Sequence, residues 1–339
     1  VSARIQDQVI PLVRRYPALA GIPRVSLGDY PTPVERIRVP DLDVPLWIKR
    51  DDLASAALGG NKVRALEYLL AGVQPGDLLL TGGGEGSTHV LATAVHGSRL
   101  QARVHAVRWR HEMHAVSNDV ASRSARECAI VETSSTPLGG ILRTLWRRMT
   151  RHARWIPFGG TSPRGILGHI NAALELADQI EAGELPVPAR VVVPLGTGGT
   201  AAGLALGFAA AGLPTEVIGA RVVPRIATGG ARVLLRARAT ARWVRRTTGV
   251  VLPPVKSGAV RVVHEAYGGA YGRVTPLAME AARTMEDIAG LRLDATYSAK
   301  AFAIALRAAR DERGPTVFWS TFDARWLRQP SGNVATHPL

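Results

Sequence analysis

The sequence predicts an α/β protein built on mostly parallel sheets, and three observations predict it. Apolar runs suited to buried strands alternate with stretches of helical periodicity along most of the chain. Several runs end in glycine-rich loops that open directly into a helix, at Gly59–Lys62, Gly82–Ser87 and Gly196–Thr200. Strand, glycine loop, helix and strand recur in order, the rhythm of βαβ units on a parallel sheet. At 339 residues, 46% of them hydrophobic, the chain can bury a large core. It suits one large or two intimately joined domains, with no internal repeat and no separating linker.

In order along the chain, a short helix is expected over Ile5–Val13, then proline-punctuated extended chain to Pro33. Val44–Lys49 alternates like a strand, Asp51–Gly60 is a polar loop, and Asn61–Ala71 has helical spacing at Val63, Leu66, Tyr68 and Leu69. Strands are expected at Asp77–Thr81, Ala102–Val107, Ala129–Thr133, Arg154–Phe158, Arg190–Pro194, Glu216–Val222 and Thr316–Ser320. Helices are expected over Ser87–Gly97, His111–Arg126, Leu138–His152, Gly165–Ala182, Thr200–Ala211, 228–247, Met279–Ile288 and Ala299–Arg310. Gln329–Leu339 reads as a loose tail.

Composition narrows the function. The longest apolar stretches, Val191–Leu195 and Ala201–Leu213, are too short or too glycine-interrupted to cross a bilayer. A single cysteine, Cys128, rules out an internal disulfide and a multi-cysteine metal site; it reads as a buried structural thiol, and a reducing cytoplasm is the natural compartment. No metal ligand set is expected. The net charge of +15 comes overwhelmingly from arginine, with lysine only at 49, 62, 256 and 300. Those arginines lie along helices without interleaved aromatics or a DNA-binding motif, so the charge is read as compositional bias and not as a nucleic-acid surface.

Three loops carry candidate chemistry. Lys62 opens a helix after Gly59, Gly60 and Asn61. There the positive end of the helix dipole lowers an amine's pKa and frees it as a nucleophile, as a Schiff-base lysine requires; a solvated lysine after a turn fits the same spacing. Gly196, Thr197, Gly198, Gly199 and Thr200 join an apolar strand to an Ala/Gly-rich helix. Their unobstructed N–H groups can surround a phosphate, and the motif lacks both the lysine of a nucleotide loop and the dinucleotide spacing, so a phosphate monoester fits better. A tight turn is the plainer alternative. The stretch Gly82–His89 is a third strand-end loop whose amides suit a substrate carboxylate, with Ser87 and Thr88 also placed to cap a helix.

With those loops in hand, the chain resembles the D-cysteine desulfhydrase / 1-aminocyclopropane-1-carboxylate deaminase family, within the tryptophan-synthase-β-like, fold type II pyridoxal-phosphate (PLP) enzymes. The resemblance runs over most of the chain. It begins at Tyr30–Val34, Ile48–Asp52 and Gly59–Arg64, and continues through Ser87–His89, Pro157–Ser162 and Gly196–Thr200. It closes with Tyr271–Gly272, Asp294–Lys300 and Phe318–Thr321. It implies two open, mostly parallel sheets flanked by helices, with PLP in a cleft between a large domain (1–63 and 161–339) and a small one (64–160). It implies a PLP Schiff base on Lys62, the phosphate on Gly196–Thr200, and Asn61, Thr88, Ser298 and Thr321 beside the cofactor. Thr321 or Ser298 would face the pyridine nitrogen. Ser87, Tyr271 and Tyr297 match active-site residues, and Gly86, Ser87, Thr88, His89, Gly160 and Thr161 would hold a small amino-acid substrate. A homodimer follows by analogy.

Several positions depart from the family pattern. Thr88 stands where an asparagine is usual, Glu85 lies in a loop normally free of acid, and Thr321 is followed by Phe322 and Asp323 in place of two glycines, expected to crowd the cofactor or the entrance. Ser298 replaces the deaminase glutamate. A neutral hydroxyl at the ring nitrogen makes a weaker electron sink, which suits loss of a β-leaving group better than ring opening. The expected reaction is β-elimination through an external aldimine, giving pyruvate and ammonia. Lys62 or Ser87 would serve as base and Tyr271 and Tyr297 would steer or protonate the leaving group. A β-replacement synthase and a non-enzymatic binding protein are the alternatives. His89 is a further acid/base candidate, although a histidine there more often has a structural role; His105, His111 and His114 are assigned no chemistry.

Overall fold

The computed structural model describes residues 9–40, 42, 45–311 and 314–327. Its strands, in chain order, are β1 (Val34–Ile37), β2 (Leu46–Arg50), β3 (Leu78–Gly84), β4 (Arg103–Trp109), β5 (Ile130–Ser134), β6 (Arg154–Trp155), β7 (Arg190–Leu195), β8 (Glu216–Arg221), β9 (Val260–Val263) and β10 (Thr316–Ser320). The helices are α1 (Pro11–Arg15), α2 (Lys62–Leu69), α3 (Thr88–Arg99), α4 (Ala115–Glu127), α5 (Pro137–Thr150), α6 (Pro163–Glu181), α7 (Gly199–Ala211), α8 (Gly230–Thr248), α9 (Pro276–Ala289) and α10 (Ser298–Asp311). One sheet runs β1-β2-β10-β7-β8-β9 and the other β5-β4-β3-β6. Every pairing is parallel except β1 with β2.

A strand in the middle of such a sheet is covered on both faces and must be apolar throughout. β7 meets that demand with Val191, Val192 and Val193, all fully buried. Successive side chains point to opposite faces. Val191 and Val193 accordingly join the core made with Ile166, Leu204 and Phe208 of α6 and α7, while Val192 joins Ile218, Phe302 and Phe318 on the α10 side. The second sheet buries Leu79 and Val104 against Leu91 and Ala94 of α3. α7 lies close on α6 because Gly203 and Gly207 offer no side chain; a Cβ at either would come within 2.4 Å of His169 or Ala173.

Buried charge ties α2, the helix that Lys62 opens, to α6 and to the first sheet. Arg64, on the same helix, donates to Asp51 at 2.6 and 2.8 Å and to Glu175 of α6 at 2.9 and 3.0 Å. Lys49 of β2 donates to Glu175 at 2.6 Å, and Trp319 of β10 donates its indole N–H to Asp51 at 2.8 Å.

Most expected elements are present, and the differences have physical causes. The edge strands β1 and β9 escape sequence reading because four residues give too little periodicity. The expected strand over Arg154–Phe158 shrinks to two residues. The helix expected from His111 starts only at Ala115, leaving His111 free to turn back. Gly82–Gly84, read as a loop, are strand residues paired with Val107–Trp109. They are glycine because of crowding: a Cβ would lie 2.8 Å from Phe158, 2.7 Å from the Ser87 hydroxyl and 2.5 Å from His111, respectively. α1 begins at Pro11, a residue suited to a first turn, and Ile5–Gln8, Val44 and the tail Gln329–Leu339 lie outside the described residues. Cys128 ends α4 and is half-buried, its thiol pushed up by burial to about 12.

Candidate active site

Ligands in open parallel sheets gather beyond the carboxyl ends of the strands. Here the ends of β3, β4, β7 and β10 open into one cavity of about 440 Å³. Lys62, Asn61, Ser87, Thr88, His89, Tyr271, Tyr297 and Thr321 all line it, together with Gly196 through Thr200. Residues spread over more than two hundred positions of the chain therefore converge on one space.

The loop before Lys62 is held by backbone. Gly60 sits at φ +102°, a conformation costly for any side chain, and a Cβ there would lie 2.7 Å from the carbonyl of Thr321. Asn61 N–H donates to that same carbonyl, and Gly59 N–H donates to the Asp323 carboxylate at 2.9 Å. Asp323 is fixed in turn by Arg325, which also donates to the carbonyl of Ser55 at 2.9 Å. Asp323 thus braces the lysine loop and does not crowd the cavity; of the two departures there, Phe322 alone reaches the wall. Lys62 has no hydrogen-bond or ion-pair partner among the described residues. Burial without a counter-charge lowers its pKa from 10.5 to about 8.

The glycine loop after β7 enters α7 through Gly198, whose φ of +86° turns the chain so that the first amides of the helix face the cavity. Those first-turn N–H groups have no acceptor within the helix and suit an anion. Asn61 donates to the Thr200 hydroxyl at 2.8 Å, and Thr161 shares a 2.5 Å hydrogen bond with Thr197. Neither Thr161 nor Gly160 lines the cavity; Thr161 braces the cradle from behind, and Gly160 packs against Ala65 of α2.

Ser87 caps α3, accepting from Val90 N–H at 3.4 Å. The Gly86 N–H, expected to be free for a carboxylate, donates to His111 Nε2 at 3.2 Å, which leaves the first-turn amides of Thr88 and His89 for that task. His89 is buried against the Thr81 hydroxyl at 3.0 Å; burial and then the charge of Lys62 hold it at about 3, so it is neutral. The Tyr271 and Tyr297 hydroxyls hydrogen-bond each other. Burial raises both, Tyr271 to about 12 and Tyr297 well above its ordinary value, so both stay protonated.

Two titratable cavity residues were not anticipated. His111 lines the wall edge-on to Tyr271, ring centroids 4.7 Å apart, because α4 starts late. Asp294 is buried at 2% exposure, lines the cavity, and accepts from the N–H groups of Thr296, Tyr297 and Ser298. It fixes the turn that presents Tyr297. An acid three residues ahead of a tyrosine at a helix start is the local signal that could have found it. Ser298 gives its hydroxyl to Asp294 at 2.5 Å and does not line the cavity, so Thr321 is the better placed of the two ring-nitrogen candidates. Glu85 is also off the wall, near His111.

Comparison with known proteins agrees with this geometry. The family model described as "Pyridoxal-phosphate dependent enzyme" matches residues 25–321. The chain is 36% identical to a nocardicin C-9' epimerase of Nocardia uniformis subsp. tsuyamanensis, over 93% of this chain and 97% of that one. It is 30% identical to a D-cysteine desulfhydrase of Salmonella paratyphi B, over 89% of this chain and 94% of that one. A solved homologue of 1-aminocyclopropane-1-carboxylate deaminase superposes with a TM-score of 0.74 at 25% identity, covering 91% of this chain and 94% of that one. The residues present fit the cofactor: an unpaired amine at 62 for its aldehyde, and a glycine-rich cradle of amides for its phosphate. The chain belongs to the pyridoxal-phosphate dependent enzymes, with fold type II architecture and pyridoxal 5'-phosphate as its cofactor.

Proposed function

We propose that this enzyme removes the α-proton of an amino acid and expels its β-substituent, a lyase or deaminase reaction of the D-cysteine desulfhydrase kind. The observation that carries the reading is one cavity holding an amine poised near 8 and a pair of tyrosines kept protonated. Bound PLP supplies the electron sink that makes the α-proton acidic. Lys62 takes that proton, its free amine being well populated at mildly alkaline pH. The first-turn amides at Thr88 and His89 hold the substrate carboxylate at the positive end of α3. The Tyr271–Tyr297 pair donates a proton to the leaving group. His89, kept neutral by its burial and by Lys62 itself, adds no competing charge beside the amine.

A second reading is inversion at the same carbon, supported by the 36% identity to an epimerase across nearly the whole of both chains. It uses the same groups, the proton lost to Lys62 being returned from the hydroxyl-bearing wall. Pyruvate assay and proton NMR in D2O, with D- and L-amino acids, separate the two. Pyruvate marks elimination; deuterium at Cα with inverted configuration and no pyruvate marks epimerisation. Neither signal from any amino acid would sink both. Homodimer assembly in a reducing cytoplasm belongs to the same proposal. The exposed apolar stripe Leu138, Leu142, Leu145 and Met149 on α5 supports the dimer, and sedimentation tests it. The division into 1–63 with 161–339 and 64–160 is likewise proposed, supported by the separation of the two sheets.

A further inference from the structure

The cavity has more wall than the expected chemistry uses. Beyond the lysine, the phosphate cradle and the tyrosines, it is closed by Trp109 at the end of β4, Pro137 and Ile141 of α5, Phe158, and Ile226 from the loop after β8. Trp109 and Phe158 pack edge to face at 5.8 Å and form a fixed aromatic corner. Ile226 is 82% exposed and Pro137 is also exposed, both on the cavity wall, so neither is spent on the core. A patch of this kind that continues into a reactive cavity marks a surface that something apolar covers. An amino acid as small and polar as cysteine would leave it wet.

We infer that the substrate is an α-amino acid whose side chain carries an apolar group of about the size of an aromatic ring, seated between Trp109, Ile141, Phe158 and Ile226. The inference rests on the function proposed above and names the substrate class of that same site. Its amino and carboxylate ends sit at Lys62 and the start of α3, as for any amino acid. Trp109, Ile141, Phe158 and Ile226 then determine specificity, through removal of apolar surface from water.

The test uses the PLP-loaded enzyme and matched probes, S-methylcysteine and S-benzylcysteine, in both enantiomers. The readout is the concentration at which each half-perturbs the cofactor's absorbance. Burial of a ring-sized group predicts that one enantiomer of the benzyl compound acts at roughly ten- to a hundredfold lower concentration than its methyl counterpart. In Ile141→Asp and in Ile226→Asp that ratio falls severalfold; the second position is so exposed that folding is not at stake. Equal half-points for methyl and benzyl probes, or a ratio untouched in both variants, would overturn the substrate class while leaving the proposed reaction standing. Absence of any spectral response to either probe and to free cysteine would overturn both.

Discussion

Replacing Glu175 by glutamine should cost this protein about 3–5 kcal/mol of stability at neutral pH, because it strips the counter-charge from two buried cations at once. Glu175 is 2% exposed and accepts from Lys49 at 2.6 Å, from Arg64 at 2.9 and 3.0 Å, and from Thr32 N–H at 2.9 Å. Burial alone would raise its carboxyl, but Arg64 and Lys49 outweigh burial and hold it at about 2 against an ordinary 4.5. That difference is worth about 3 kcal/mol, in line with the cost of breaking a buried pair. The sign follows from the direction. A carboxyl depressed in the folded state stabilises above its unfolded value, and the benefit is lost as pH falls from about 4.5 towards 2. Urea denaturation of the wild type and Glu175→Gln, on enzyme loaded with cofactor, should show the full gap at pH 7 and a much smaller one near pH 3. A loss below about 1 kcal/mol at pH 7, or a gap that ignores pH, would refute the view that this cluster anchors the helix bearing Lys62.

Other outcomes follow from the same geometry. Gly198→Ala places a side chain at φ +86° with its Cβ 3.2 Å from Thr228 and Val233. The conformational cost of roughly 1–2 kcal/mol predicts about tenfold weaker PLP binding in a titration of the cofactor-free protein, and unchanged binding would contradict the cradle. Lys62, lowered to about 8, should capture PLP about fivefold faster at pH 8 than at pH 7 and level off above pH 9 in stopped-flow absorbance; a rate still climbing at pH 10 would place the amine in water. Tyr297→Phe removes one hydroxyl of the protonated pair, so turnover should fall by about 10²–10⁴ while the cofactor's absorbance band is kept. Equal turnover would take the tyrosines out of the reaction.

The parts of the site that could be read from sequence are those whose chemistry is local. Lys62 and Gly196–Thr200 sit at loop-to-helix junctions, where glycine content and helix polarity declare an anion or a nucleophile within a few residues. His111 could not be read this way. Its place depends on where α4 begins, and on Gly86 and Tyr271, far off in sequence. Gly82–Gly84 misled for the opposite reason: three glycines look like a turn, yet they pair as a strand because Phe158, Ser87 and His111 occupy the room their side chains would need. Ser298 matched its motif position, but its hydroxyl is taken by Asp294, a contact that only the folded turn reveals.

The brace from Asp323 to Gly59 carries a consequence for how the protein matures. Residues separated by 264 positions must meet before the lysine loop is seated. β10, which delivers Asp323, lies between β2 and β7 in the middle of its sheet. Lys62 comes early in the chain, and the segment that holds its loop comes late. The seat of Lys62 is therefore closed by long-range assembly of the sheet and not by its own local loop.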